Sequence, residues 1–371
     1  MSVYDVTVQT LSPLHIGDGI TLRQNFDFVT HEGKTWRLNE DEILRANEAL
    51  LRPNRDGHYP TPGELVLRNM ANFQNAALFR YSLPGVARSG KTYAELRSFI
   101  KDVYDRPYIP GSSLKGALRT ALAWTGWSEV NLHLKSRSDV GNKKYWAAQP
   151  LERKIFGRDP NHDLLRALHV SDLFGIQKPG GKLLVVNAQV LTPKKAQSPI
   201  ELEALPGDIT FTGSITIDDA LFAPFAETEL HFGNRRHWLN ELALRAQKHG
   251  QMRIAQLVEW YERADEGYHN IAAFYRQLSV AKLSANQALI QLGWGSGWDG
   301  KTFGSHLQKD AALFEQLVSD FKMHKASKDS PPRKIGDAFP RSKRAAMRVK
   351  QGIASPAAPF GWVLVEVSKK D

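Results

Sequence analysis

Residues 108–120, Tyr-Ile-Pro-Gly-Ser-Ser-Leu-Lys-Gly-Ala-Leu-Arg-Thr, are the most informative stretch of the sequence. After the Pro-Gly-Ser-Ser turn, apolar residues recur every three or four positions, at Leu114, Ala117, Leu118, Ala121 and Leu122. This spacing predicts an amphipathic helix that begins at the turn. The first turn of such a helix directs unpaired backbone N–H groups outward from a partly positive terminus, beside the hydroxyls of Ser112 and Ser113. Gly111, Ser112 and Ser113 therefore have the geometry for holding a phosphate.

Two cations extend this segment. Lys115 and Arg119 are four residues apart, so they lie on one stripe of the predicted helix and could continue a phosphate site along a nucleic-acid backbone. The segment is not a Walker motif, because it lacks the Gly-Lys-Ser/Thr ending and the glycine spacing. The alternative is an ordinary Ser-capped helix that carries two solvated cations.

The rest of the chain mixes strand and helix patterns. Polar and apolar residues alternate over 4–9 and, most regularly, over 209–217, which predicts strands. Residues 92–103 and 235–279 are helical in pattern, and 362–367 close the chain as a strand. This irregular order favours an α+β fold with antiparallel sheets and helices on one face.

Length and composition limit the possibilities. At 371 residues the chain is long for one core, so we expect two halves, 1–200 and 201–371, that both start with strands and suggest a duplicated unit. A helical block at 235–279 is inserted in the second half. The chain contains no cysteine, which excludes disulfides, thiolate zinc sites and cysteine nucleophiles. Because no apolar run approaches about 20 residues and residues 1–11 lack a signal-peptide core, we expect a cytoplasmic protein.

The formal charge of +10 suggests a polyanionic partner. Most of the excess lies in residues 321–350, where two aspartates oppose ten cations: Lys322, Lys325, Lys328, Arg333, Lys334, Arg341, Lys343, Arg344, Arg348 and Lys350. We predict that this window belongs to a basic loop, 321–358. It is either a mobile solvated loop or a phosphate-contacting segment.

Residues 293–300 combine four glycines with Trp294, Ser296 and Trp298, and Lys301 follows. Glycine permits close approach of a backbone, tryptophan offers a stacking face and lysine binds phosphate, which together are typical of single-stranded RNA recognition. The alternative is a tight loop whose tryptophans fold back onto the core.

Signals for catalysis are weak. The histidines show no His-Glu-x-x-His spacing, so no metal or other cofactor is expected. His15, in Leu-His-Ile-Gly before Gly17, could act as a general base for RNA cleavage, although such a histidine more often bonds to a loop or contacts a phosphate. Asp172 ends a predicted strand and could be catalytic, although capping of a loop is the more common role of such a residue.

Several segments together resemble the RAMP superfamily of CRISPR-associated proteins. In chain order they are 11–17, 107–120, 166–173, 203–211, 292–297 and 359–363. Within the superfamily, the chain length and the Pro-Arg-x-Lys-Arg segment at 340–344 are similar to the fifth Csm subunit of type III-A effector complexes.

The resemblance implies a modified ferredoxin-like (RRM-like) fold that binds crRNA through basic and glycine-rich loops. It also implies packing against backbone and small Csm subunits, capping of the crRNA 3′ end, and maturation by recruited host nucleases instead of an active site of its own. The residues predicted to bind RNA are His15, Gly17, Gly111, Ser112, Ser113, Lys115, Arg119, Gly293, Gly295, Ser296, Gly297, Trp298, Lys301, Arg341, Lys343 and Arg344.

Three alternatives stay open at this point. The chain could be a metal-independent endoribonuclease that trims repeat RNA with His15. It could be a different RAMP backbone subunit of a type III complex. It could also be a purely structural subunit whose tryptophans are buried in a protein interface.

Overall fold

The computed structural model describes residues 1–88, 93–141, 143–192, 196–264, 266–324, 333–350 and 353–370. The strands in these residues are β1 Ser2–Thr10, β2 Gly17–Arg23, β3 Phe28–His31, β4 Lys34–Leu38, β5 Phe79–Pro84, β6 Glu95–Phe99, β7 Leu168–Val170, β8 Leu184–Leu191, β9 Ala196–Ala204, β10 Thr210–Ile217, β11 Gln287–Gln291, β12 Lys343–Lys350, β13 Ile353–Pro359 and β14 Trp362–Lys369. The α-helices are α1 Glu40–Ala46, α2 Pro62–Leu67, α3 Gly111–Glu129, α4 Gln149–Phe156, α5 Pro224–Leu230, α6 Arg236–Asn240, α7 Leu242–Glu262, α8 His269–Ser279, α9 Gly304–Leu307 and α10 Ala311–Asp320.

The first sheet is antiparallel, with the strand order β11-β14-β1-β10-β7. Val6 and Val8 of β1 are buried, while Asp5 and Thr7, which alternate with them, are exposed, so one face meets the core and the other faces away from it. Among the elements between β1 and β7 the longest helix is α3, and among those between β10 and β11 it is α7. The chain order β1-α3-β7-β10-α7-β14 is that of a ferredoxin-like unit. The predicted α+β, ferredoxin-like fold is therefore confirmed.

The second sheet has six strands, in the order β13-β12-β8-β9-β6-β2, and the third has the order β3-β4-β5. Strands β12 and β13 correct part of the predicted basic loop 321–358. Ala345 and Met347 are buried, so β12 is held by its apolar side chains although cations flank them. Residues 325–332 and 351–352 of that loop lie outside the described residues.

The helix predicted over 92–103 is wrong. Its centre is strand β6, where Glu95 and Arg97 are exposed and Leu96 between them is buried. This alternation has the two-residue period of a strand, which the charged residues made easy to misread as a helix face. The strand predicted at 209–217 is confirmed by β10, and the helical block at 235–279 is confirmed by helices α6, α7 and α8.

Both predicted halves contribute to the first sheet. Strands β1 and β7 come from residues 1–200, whereas β10, β11 and β14 come from 201–371. Strand β9 spans the predicted boundary at residue 200. The division into two halves and their duplication stay predictions.

A buried carboxylate lies where the sheets meet. The side chain of Glu203 on β9 accepts hydrogen bonds from the Tyr81 hydroxyl (2.9 Å), the Phe99 backbone N–H (2.9 Å) and the Lys101 ammonium (2.6 Å). Its backbone carbonyl lies 2.6 Å from Nδ1 of His15, in the loop that follows β1. Glu203 and Tyr81 are buried, and burial together with the Glu203 charge raises the pKa of Tyr81. Glu203 therefore accepts hydrogen bonds from four residues at once.

We expect opposite effects from alanine at two glycines of α3. A Cβ at Gly111 would lie 2.2 Å from the carbonyl oxygen of Val170, so Gly111→Ala should lower stability by about 1–3 kcal/mol through overpacking. A Cβ at Gly116 meets nothing within 4 Å, so Gly116→Ala should raise stability by up to about 1 kcal/mol. Thermal unfolding of the two variants beside the parent tests this, and a loss in both would contradict the described position of α3.

The buried histidine of α7 should make stability depend on pH. Burial, with repulsion from Arg253 and His306, lowers the pKa of His249 to about 3. Because the pKa in the unfolded chain is about 6.5, its contribution to stability is complete above that pH and is lost as the pH falls toward 3. We expect the thermal midpoint of His249→Gln to decline less than that of the parent between pH 7 and pH 4. Parallel declines would show that His249 is protonated in the folded protein.

Candidate nucleic-acid interface

The predicted phosphate turn lies at the start of α3, as expected, but one of its backbone N–H donors is already bonded to another residue of the protein. The backbone N–H of Gly111 donates to Oδ1 of Asp172 at 2.7 Å, as the capping interpretation of Asp172 predicts. The small size of Gly111 is required by the adjacent carbonyls of Val170 and Ser171. Ser112 is exposed and Ser113 half-buried. The two serines are therefore the part of the turn that a ligand can reach.

Both cations of the predicted stripe are half-buried and bonded within the protein. The Lys115 ammonium donates to the carbonyl oxygens of Leu165 (2.9 Å) and Leu168 (2.7 Å), and partial burial lowers its pKa. These two hydrogen bonds hold α3 against the segment that leads into β7. The solvated-cation alternative is thus wrong for Lys115, and binding of a phosphate by this ammonium stays a prediction that must compete with two carbonyls.

Arg119 is also bonded within the protein, in this case to two carboxylates. Its guanidinium bonds to Asp163 at 2.8 Å and to Glu152 at 2.9 Å, and it lies 4.0 Å from the ring centre of Phe156. Two carboxylates already neutralise this cation, which weakens its attraction for a phosphate.

The glycines of the 293–300 loop mostly make room for protein instead of ligand. Gly293 has a φ of 67° and passes the His15 carbonyl so closely that a Cβ would lie 2.4 Å from that oxygen. A Cβ at Gly295 would lie 2.7 Å from Phe360. Ser296 is buried, and its hydroxyl donates to the Gly293 carbonyl at 2.9 Å. Gly297 differs, since it is exposed with open space around it.

Both tryptophans of this loop fold back onto the protein, as the alternative interpretation expected. The ring of Trp298 covers Gly304, where a Cβ would come within 2.0 Å of it, and lies 4.9 Å from Phe339. Trp294 packs edge-on against Phe360 at 5.2 Å. Their faces are therefore largely used for packing.

His15 is buried, with 2% of its surface exposed, between Phe99 and Trp294. Since a carbonyl oxygen can only accept, Nδ1 carries the proton in the bond to Glu203. Burial lowers the pKa of His15, so the ring is neutral near pH 7. Gly17 follows it at the exposed start of β2. The His15 ring thus holds its loop in place by a hydrogen bond, as the more common interpretation of such a histidine predicts.

The basic window divides into paired and unpaired cations. Lys343 bonds to Asp299 at 3.0 Å, and Asp299 also lies 3.3 Å from the buried Arg253. Arg344 is exposed and lies 4.9 Å from the ring centre of Trp294. Lys325 and Lys328 are outside the described residues.

A cleft of about 1450 Å³ brings the separate predictions together. The predicted RNA-binding residues that line it are Ser112, Ser113, Arg119, Gly293, Ser296, Trp298, Lys301 and Arg341. Phe156, Phe314 and other apolar side chains line it as well. The cleft therefore joins the start of α3 to the glycine loop and the basic window, which are far apart in the sequence.

Charge in the cleft is predominantly positive. Its lining holds the cations Arg119, Lys144, Lys301, Arg333 and Arg341 and the acids Glu152 and Asp337. Arg119 is paired as described, and Arg333 is paired with Glu315. Among the described residues, Lys144, Lys301 and Arg341 make no ion pair. These three are the cations that an incoming anion meets.

Half of the predicted site does not line the cleft. His15, Gly17, Gly111, Lys115, Gly295, Gly297, Lys343 and Arg344 are elsewhere. Conversely, the sequence-based prediction missed Lys144, although the run Lys-Lys-Tyr-Trp at 143–146 combines cations with aromatics and could have been recognised.

Two further properties concern the part of the chain that the structure describes. It contains no group of three or more His, Asp or Glu side chains that could hold a metal ion. None of its helices has both the length and the apolar character needed to cross a membrane.

The sequence model of the RAMP superfamily matches residues 7–298. The chain belongs to the RAMP superfamily. Among its relatives is a Streptococcus thermophilus protein described as "CRISPR system Cms protein Csm5", which is 26% identical over 190 residues, covering 46% of this chain and 51% of the relative. The protein of the same description from Methanocaldococcus jannaschii is 32% identical over 117 residues, covering 31% of this chain and 27% of the relative. The matched segments thus span about half or less of these RAMP relatives.

Solved structures show the same fold over almost the whole chain. One is a chain of a cryo-EM structure of a Csm–crRNA–target RNA ternary complex from a type III-A CRISPR-Cas system. It has a TM-score of 0.68 and 22% identity and covers 98% of this chain and 100% of its own. The other is a crystal structure of T. onnurineus Csm5, with a TM-score of 0.63, 22% identity and coverage of 96% and 99%. The predicted RAMP family, with its likeness to the fifth Csm subunit, is confirmed.

The internal pairing of Arg119 predicts a loss of stability when it is removed. Arg119→Met leaves Glu152 and Asp163 without their shared partner, so it should lower the free energy of unfolding by about 1–3 kcal/mol. Lys301→Met removes an exposed, unpaired cation of the same cleft and should change it by less than about 0.5 kcal/mol. Urea unfolding measures both. Equal stability of the two variants would mean that Arg119 is free to bind an anion.

Proposed function

We propose that this RAMP protein is a non-catalytic crRNA-binding subunit of a type III-A Csm complex, where it caps the crRNA 3′ end and supports crRNA maturation. The observation that carries the proposal is the cleft, which joins the serine turn of α3 to unpaired cations of other segments. The relatives named Csm5, and the structural neighbour taken from a Csm–crRNA–target RNA complex, support it.

The cleft has the size and chemistry for a strand of RNA. Its volume of about 1450 Å³ exceeds the roughly 300–1,000 Å³ of ordinary small-molecule sites. Lys144, Lys301 and Arg341 would contact phosphates, with Ser112 and Ser113 as further donors. The apolar lining offers surfaces against which unpaired bases can pack.

A binding role is favoured over cleavage by the position of His15. A general base must come within hydrogen-bond reach of the proton that it removes, whereas this ring is 2% exposed and its Nδ1 is bonded to Glu203. In this proposal host nucleases trim the crRNA, and neighbouring Csm subunits in the cytoplasm contact surfaces outside the cleft. The halves 1–200 and 201–371 would provide the serine turn and the glycine loop, respectively.

Removing the three unpaired cations of the cleft should weaken RNA binding. We expect the triple variant Lys144→Ala, Lys301→Ala, Arg341→Ala to bind a labelled single-stranded RNA more weakly. Its dependence of log affinity on log salt should be shallower by about 0.7 for each cation that no longer meets a phosphate. The matched control removes three exposed lysines outside the cleft, Lys178, Lys248 and Lys282. Equally weakened binding in both triple variants would show that net charge, and not the cleft, binds RNA.

A test of the proposed 3′-end capping requires RNAs that differ only in whether they have an end. The purified full chain should bind a linear RNA more tightly than a circular RNA of the same sequence, because only the linear molecule has an end to cap. Both RNAs should stay intact on incubation, with or without EDTA. Cleavage that His15→Ala abolishes would instead establish the endoribonuclease alternative, and equal binding of the two RNAs would refute capping by the isolated subunit.

A further inference from the structure

Two neighbouring aromatic side chains project from the protein beside the cleft. Tyr145 is 84% exposed and Trp146 is 51% exposed, and their ring centres lie 4.6 Å apart with the planes at 89°. Large aromatic side chains are usually at least partly covered, because each buries a large apolar area on folding. An adjacent pair that is left open is therefore a candidate contact surface.

The backbone that carries these rings is held in place. The Trp146 N–H donates to the Lys143 carbonyl at 3.0 Å, and the Ala148 N–H donates to the Val140 carbonyl at 2.7 Å. On either side of the turn, Val140 and Leu151 are buried in the main core. The exposure of the two rings is thus a property of an anchored turn, not of an unattached segment.

The turn lies at the cleft and is surrounded by positive charge. Lys144 lines the cleft, together with Ala147 and Ala148 from the end of the same turn. Further cations in the flanking sequence are exposed: Lys135, Lys143, Arg153 and Lys154. Tyr145 and Trp146 lie between these lining residues in the chain, so the aromatic pair adjoins the cleft.

We propose that Tyr145 and Trp146 form a stacking platform for an unpaired base of the single-stranded RNA that the cleft binds. This inference rests on the proposed function and adds a base contact to it. Every nucleobase has a π face, so the platform accepts any base, while the flanking lysines attract the phosphates. The lysines favour RNA over a protein partner, because the centres of protein interfaces are depleted of lysine. The rings are perpendicular, so the edge of one supports the other, and both are more than half exposed.

The test compares an ordinary single-stranded RNA with an abasic RNA of equal length. Trp146→Ala should weaken binding of the ordinary RNA about tenfold and leave binding of the abasic RNA unchanged. Because stacking releases no counterions, the salt slope of Trp146→Ala should equal that of the parent. Trp146→Phe should restore most of the affinity, and Tyr145→Ala should weaken it. Tyr59→Ala, which removes an aromatic that is 63% exposed and does not line the cleft, is the control.

Each outcome separates the platform from the cleft. If Trp146→Ala binds RNA normally while the triple cation variant does not, the platform is wrong and the proposed function stands. If neither variant affects binding, the proposed function itself fails. Equal weakening for ordinary and abasic RNA would assign the turn to the RNA backbone and overturn stacking. Unchanged RNA binding with loss of co-purifying Csm subunits would identify a protein interface, which also overturns it.

Discussion

The buried carboxylate of Glu203 is the group on which the arrangement of the three sheets depends. Glu203 lies on the six-stranded sheet, and its carboxylate accepts a hydrogen bond from Tyr81 of the three-stranded sheet. The backbone carbonyl of Glu203 accepts a hydrogen bond from His15, in the loop that follows the first strand of the ferredoxin-like sheet. An unpaired carboxylate at 0% exposure would cost several kcal/mol, and only the combination of Lys101 with two further donors offsets this. Since every donor must be in position at once, the sheets meet in one orientation.

The cleft is built on this junction. The carbonyl of His15 accepts from the backbone N–H of Trp294 at 2.8 Å, and the same carbonyl leaves room only for glycine at 293. The loop that forms one wall of the cleft is therefore positioned by the residue that Glu203 holds. Glycine in this loop permits close packing of protein on protein, and a wall that is fixed in this way would need no ordering if the cleft binds RNA as proposed.

Local pattern in the sequence was sufficient for helix α3 and strand β10, but it failed at strand β6 and did not show the partners of the charged residues. The periodicity after Gly111 predicts helix α3, and alternation predicts strand β10, because each signal is contained within a few neighbouring residues. The role of Lys115 depends on the carbonyls of Leu165 and Leu168, which belong to a turn about fifty residues away. No local signal distinguishes a lysine that meets phosphate from one that bonds to such a turn. Exposure of Trp298 could not be predicted for the same reason.

This distinction changes what the net charge means. A cation that already bonds to a carboxylate must give up that partner before it can neutralise a phosphate. It therefore releases few of the counterions that surround a nucleic acid. Arg119, Arg333 and Lys343 are of this kind, and the first two line the cleft. The electrostatic affinity of the cleft thus comes from its few unpaired cations, Lys144 and Lys301 among them. The charge of +10 is consistent with the proposed RNA partner, whereas the pairing of individual side chains determines how many cations are free to meet a phosphate.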